Sequence, residues 1–304
     1  MRCSDPPYPP KGAALSSPGI IPPFLEVLAV TESHRRQLVD MVARPEDEVD
    51  LARASLLVAC DEYPELELDP YLQRLDTMAE AVRGRLGASP EAAVAGLNRV
   101  LFEEEGFRGN TREYYDPRNS FLNDVLDRRT GIPITLSTVY IAVGRRAGVA
   151  VHGVGLPGHF VVRVVAGGGD ALVDPFNGGT VLTPQDCQDR LDRIYGGRVR
   201  MAADMLAPCP PRSVLARTLR NLKAIYLKAD DHERALRTAE LLVLLNPGAV
   251  EEVRDRGLVL AALECYALAA ADLEAYVQAV PHAPETPQLR ARIAQLRHQA
   301  ARLN

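Results

Sequence analysis

The stretch from Gly131 to Phe176 constrains this chain more than any other. It reads GIPITLSTVYIAVGRRAGVAVHGVGLPGHFVVRVVAGGGDALVDPF. Proline suits a first helical position, so the spacing predicts a helix that opens at Pro133, shows Leu136, Val139 and Val143 on one face, and stops at Gly148. The period then changes. VHGVGL and FVVRVV are rich in β-branched residues, and ALVDPF follows AGGGD, which predicts strands joined by a hairpin turn. One strand carries His159 and the next carries Asp174. A nucleophile at a helix start, then a His, then an acidic orienter is the order of parts in a thiol-type acyl-transfer site. The position for the nucleophile is occupied by Pro133.

A helix N-terminus concentrates unpaired N–H groups and positive dipole, which lowers a thiol's pKa and can hold an oxyanion. Pro133 brings neither a thiol nor an N–H, and a well-started helix accounts for it without further function. Ser137 shares its face but lies one turn, about 5–6 Å, deeper, whereas Thr135 is nearer but turned about 200° around the axis. Ser137 is therefore the candidate replacement nucleophile, with Thr135 behind it; a serine packed against its own helix backbone is the plainer reading. His159 and Asp174 are expected to meet across the hairpin, the carboxylate fixing the ring's tautomer. The alternative for Asp174 is a cap on the turn at Pro175. Just upstream, Tyr114, Tyr115, Asp116, Asn119 and Asn123 form a polar, aromatic cluster. Tyr115, Asn119 and Asn123 are the candidate binding residues of a cleft, and a satisfied loop with packed tyrosines is the competing reading.

Other signals are negative. GVGLPG at 153–158 spells G-x-G-x-x-G, but a strand follows it where a dinucleotide site needs a helix, so no cofactor is expected. Five cysteines, at 3, 60, 187, 209 and 265, include no CxxC pair, which indicates neither a disulfide framework nor a metal site. Cys60 and Cys265 read as small core residues, and a reducing cytoplasm is the expected setting. A net charge of −5 offers no basic field to nucleic acid, and no apolar run is long enough to span a membrane.

On either side of the organising stretch the chain reads as helical. Residues 1–30 are Pro-rich and are expected to form a disordered tail without a secretory signal. Pro45 with Glu46, Asp47 and Glu48, then Asp69-Pro70, then Ser89-Pro90 mark three helix starts; Asn119 and Ser120 are candidate N-caps for FLNDVLDRR. APCPPRS at 207–213 is expected to be a linker. Beyond it Ala235 and Ala269, Pro247 and Pro281, Asp230 and Glu264, and Tyr226 and Leu260 are each 34 residues apart. That is the tetratricopeptide period, one helix hairpin per repeat.

The segments GFRGN, DPRNSFLNDVLDRRTGIPITLSTVYIAVGRRAG, GVGLPGHFVVR, DPFNGG, RTLRNLKAIYLKADDHERAL and RDRGL together resemble the SirB-type family of bacterial proteins, over about residues 35–285. The resemblance implies an α+β fold: a papain-like, transglutaminase-like domain with N-terminal helices and a small antiparallel sheet at 31–206, then an all-α tetratricopeptide-like domain at 214–304. In active transglutaminase-like proteins the helix opens with Gly-x-Cys, the His precedes an aromatic, and the Asp precedes a Pro. Here Gly131-Ile132-Pro133, His159-Phe160 and Asp174-Pro175 stand in those places. The resemblance thus implies a pseudoenzyme that binds a protein or peptide through the old cleft or the repeat groove. The alternative is an acyl- or amide-hydrolysing enzyme in which Ser137 or Thr135 serves the His159/Asp174 pair.

Overall fold

The computed structural model describes residues 23–302. Twelve helices are assigned among them: α1 (Pro23–Val42), α2 (Leu51–Ala59), α3 (Leu68–Arg83), α4 (Pro90–Asn98), α5 (Leu122–Arg128), α6 (Pro133–Arg146), α7 (Pro184–Tyr195), α8 (Pro211–Lys228), α9 (His232–Leu245), α10 (Val250–Ala262), α11 (Tyr266–Ala279) and α12 (Thr286–Ala301). The strands are β1 (Arg108–Gly109), β2 (Thr130–Gly131), β3 (Ala150–Val154), β4 (Val161–Ala166), β5 (Gly169–Asp174), β6 (Thr180–Leu182) and β7 (Pro208–Cys209). Contacts divide the chain into two compact units, with the main boundary between Asn221 and Leu222.

In the first unit, helix α6 is the centre of the core. Every residue from Pro133 to Gly144 is buried, so the single apolar face expected from the sequence becomes a helix enclosed on all sides. It packs against α2, α3, β3 and β4. Gly144 lets Val151 approach: a Cβ there would lie 2.5 Å from the valine Cγ2. Arg145 and Arg146 close the last turn, where cations suit the dipole, and Gly148 takes φ +90° to redirect the chain into β3.

The sheet is antiparallel, in the order β6-β5-β4-β3-β7. The β4–β5 hairpin turns on Gly167 and Gly168, both at positive φ, as a two-residue turn between twisted strands requires. Strands β1 and β2 pair in parallel, Arg108 with Thr130 and Gly109 with Gly131, which fixes the approach to α6.

Several boundaries differ from the sequence reading for local reasons. The part of the expected tail up to residue 22 lies outside the described residues, while Pro23 opens α1. The acidic run after Pro45 forms only a short 3-10 turn. Helix α2 starts later because Asp50 caps it, accepting from Ala52 N and Arg53 N at 3.0 and 3.2 Å. Helix α3 starts at Leu68, so Asp69-Pro70 falls in its first turn, where proline is tolerated. Ser89 caps α4 as expected, accepting from Ala92 N. Neither Asn119 nor Ser120 caps α5, which begins at Leu122 after Phe121. The expected linker at 207–213 holds β7, which pairs with β3, and the start of α8.

The helical unit repeats as its spacing predicts. Helices α9 and α11 start and end 34 residues apart, and Ala235 and Ala269 are fully buried at equivalent positions. Asp230 and Glu264 both turn the chain at positive φ, +55° and +60°, so the 34-residue offset records a shared left-handed turn between helices. A core of Leu260, Ala269, Leu273, Tyr276, Ile293 and Leu296 joins α10, α11 and α12.

Candidate functional site

Asp174 ends β5 with its carboxylate fully buried, at 0% exposure. Oδ1 caps the turn at 175–177, accepting from Phe176 N and Asn177 N at 3.1 and 3.4 Å. Oδ2 receives His159 Nε2 at 2.9 Å, Asn177 Nδ2 at 2.7 Å and Arg190 Nη2 at 2.8 Å. Both readings of Asp174 therefore hold at once, one per oxygen. Burial alone would raise its pKa. The hydrogen bond and charge of His159, the Asn177 amide and the Arg190 guanidinium together hold it below the usual carboxylate range. An ionised carboxylate only accepts, so Nε2 carries the proton of this hydrogen bond.

His159 is buried to 6% exposure, and among the described residues its ring makes no hydrogen bond other than that to Asp174. It stands two residues before β4 rather than within it. Its N–H donates to Leu156 O at 3.1 Å and closes the turn through Pro157 and Gly158. Arg217, from α8, fastens the same turn: Nη2 donates to Leu156 O and His159 O at 2.9 and 2.7 Å, and the guanidinium lies 5.4 Å over the Phe160 ring. The Phe176 ring meets His159 edge-on with centroids 6.2 Å apart. Beneath it Gly109 must lack a side chain, since a Cβ there would come within 2.7 Å of that ring.

A pocket of about 130 Å³ opens over the histidine, lined by Tyr114, Pro133, His159, Arg217 and Asn221 among others. Pro133 and His159 thus share one cavity wall, as helix start and His would in a thiol site, with a pyrrolidine ring in place of sulfur. The candidate replacement nucleophiles do not reach it. Thr135 Oγ1 donates to Asn119 O at 2.7 Å and accepts from Ile132 N at 3.1 Å, so it serves as a helix-start clamp. Ser137 is fully buried, lies outside the pocket lining, and its Oγ has no hydrogen-bond partner among the described residues, not even its own helix backbone.

The three binding candidates fare differently. Asn119 is a buried organiser: Nδ2 donates to Glu113 O at 2.7 Å, and Oδ1 accepts from Asn110 Nδ2 at 3.1 Å. Asn123 is buried in α5 and does not line the pocket. Tyr115 is 64% exposed, outside the lining, and packs edge-on against Tyr114, which does line it. Among the described residues no cysteine lines the pocket. Cys60, Cys187 and Cys209 are free thiols whose pKa values burial raises, that of Cys60 to about 11. Among the described residues no group of three His, Cys, Asp or Glu side chains could hold a metal ion, and no helix is long and apolar enough to cross a membrane.

Sequence reasoning passed over Arg190, Asn177, Arg217 and Asn221. Asn177 follows Asp174 by three residues in DPFNGG, an Asx-turn spacing. Arg217 and Asn221 are four apart in RTLRNL and so share a helix face. Arg190 carries no local signal, since helix α7 brings it to Asp174 from 16 residues away.

Comparison with known proteins agrees with this architecture. A model of the transglutaminase-like superfamily matches residues 69–220, and a tetratricopeptide repeat model matches 222–294. A UPF0162 protein of Xylella fastidiosa (strain Temecula1) is 38% identical over 84% of this chain and 93% of its own length. A UPF0162 protein of Pseudomonas aeruginosa is 30% identical over 74% and 82%, and Protein SirB1 of Salmonella typhimurium is 28% identical over 75% and 84%. No solved structure matches the chain. With a transglutaminase-like domain, a tetratricopeptide unit and relatives of this closeness, the chain belongs to the SirB-type (UPF0162) family.

Proposed function

We propose that the protein is a non-catalytic member of the transglutaminase-like fold that binds a peptide or protein side chain through the His159 pocket, with the tetratricopeptide unit recruiting a protein partner. The observation that carries this reading is the shared wall of Pro133 and His159: a base with its orienter stands beside a helix start that has no nucleophile. Covalent acyl transfer needs nucleophile and base in contact, and Thr135 Oγ1 is bonded elsewhere while Ser137 lies outside the pocket. Repeat grooves commonly hold protein ligands, which supports the second half of the proposal by analogy.

The competing reading is hydrolysis by a water activated at His159, favoured by the intact 2.9 Å pair with Asp174. One comparison separates the two. Hydrolysis of p-nitrophenyl acetate and of a γ-glutamyl anilide is measured for the full chain and for His159→Gln. Equal background rates are expected; turnover that disappears with His159→Gln would replace the binding reading with the enzymatic one.

A further inference from the structure

We infer that the His159 pocket is a receptor for the C-terminal carboxylate of a peptide chain; this rests on the binding reading above and names its ligand. No residue of the pocket lining is acidic. Arg217 supplies a positive charge that forms no ion pair among the described residues. Only its Nη2 is spent, on Leu156 O and His159 O, which leaves Nε and Nη1 without acceptors there. Cys209, Tyr114 and Tyr195 are the groups whose fields partly offset the burial of this guanidinium, and none is a carboxylate. Tyr114 and Asn221, residues with donor groups, belong to the same lining. Ile132, Pro133 and Ile134 bring in the positive end of the α6 dipole. The negative charge of Asp174 stands behind His159 and is already matched by Arg190. The surplus is thus one positive charge in about 130 Å³, which suits a planar, singly charged carboxylate better than a doubly charged phosphate.

His159 selects among carboxylates. It is 6% exposed, lines the pocket, and offers Nδ1 with no partner among the described residues. With Nε2–H committed to Asp174, Nδ1 is the ring nitrogen left to meet a ligand. A chain terminus presents both halves of the match: a carboxylate for Arg217, and beside it the last peptide N–H for Nδ1. An Asp or Glu side chain holds its carboxylate farther from any peptide N–H. Ile194 packs at the lining residue Gly158, an apolar side chain that suits the residue preceding the terminus.

The test uses the full chain and three probes: acetyl-Ala-Tyr-Ala with a free carboxylate, the same peptide as its C-terminal amide, and acetyl-Ala-Glu-Ala amide. Nitrogen-detected NMR follows the His159 ring and Arg217 Nε during each titration. The expected result is that the free-carboxylate peptide moves both resonances and binds roughly tenfold tighter than its amide. Asn221→Asp, nearly isosteric and negative, is expected to abolish that preference while leaving the spectrum folded. If the amide binds equally well, the carboxylate assignment falls and the peptide-binding reading stands. If the Glu-containing amide binds best, the pocket reads side chains and the terminus assignment falls. If none of the three moves either resonance, both the assignment and the pocket-binding reading fall.

Discussion

Asp174 and Lys223 each stand at the centre of a buried charge cluster, one in each unit, and the clusters differ in what remains unmatched. Lys223, 6% exposed, donates to Glu252 and Asp255 at 2.8 and 2.7 Å, and Arg254 binds the other oxygen of Asp255. Lys223 is met by Glu252 and Asp255, and Arg254 by Asp255 and Glu285, so each cation of the cluster has carboxylate partners. The Asp174 cluster is balanced by Arg190 in the same way, yet His159 keeps an unbonded nitrogen on a cavity where Arg217 has no counter-charge. A closed cluster fixes how helices pack. An open one beside a cavity keeps donors and acceptors for a ligand, a distinction that burial alone does not make.

The comparison breaks if the two centres respond alike to substitution. Lys223→Met should have the largest effect, because it removes the buried ammonium that Glu252 and Asp255 share: about 3–5 kcal/mol of stability, read by urea unfolding and by faster amide exchange in the repeat helices. A loss below about 1 kcal/mol would mean that the cluster is solvated and not structural. Asp174→Asn keeps the shape and should cost less, about 1–3 kcal/mol, since an amide can still accept while losing the charge that pairs with Arg190. Its distinctive signature should be the His159 ring resonances, whose tautomer loses its anchor.

Acid sharpens the comparison with a smaller effect. Asp174 and Asp255 are both held below the ordinary carboxylate value of 3.8, each despite a burial effect that would raise it. A depressed carboxylate stabilises the fold above its unfolded pKa, and that contribution is lost as pH falls through the lower folded value. Stability should therefore decline below about pH 4, and Asp174→Asn should flatten part of that decline. An unchanged acid limb in Asp174→Asn would show that the buried cluster is not what resists protonation.

Much of the architecture was legible because it is local. Proline at a helix start, glycines at the hairpin and the 34-residue offset of Asp230 and Glu264 are short-range signals, and each marks a turn or helix start in the structure. The His159–Asp174 contact followed from two strands joined by a tight turn. The cluster around Asn119 misled because a buried polar residue and a pocket-lining one look the same in sequence; only the hydrogen bonds to Glu113 O and Asn110 distinguish them. Arg190 and Arg217 arrive on helices from farther along the chain, and no periodicity announces where such a side chain lands. Helix α2 was misplaced because two acidic starts compete, and Asp50, not the run after Pro45, wins the cap.

The central claim is that this site has a thiol enzyme's geometry with proline in the nucleophile's place. The most direct measurement is the rate of iodoacetamide alkylation of Pro133→Cys as a function of pH. A thiol there would sit at the α6 N-terminus on the same cavity wall as His159. The account predicts alkylation that persists well below pH 8, with an apparent pKa of about 7 or lower, and that falls back when His159→Gln is added. The native thiols Cys60 and Cys187, buried, and Cys209, half-buried, all with raised pKa values, should stay slow. An introduced thiol that titrates near 8.5 whether or not His159 is present would contradict the account.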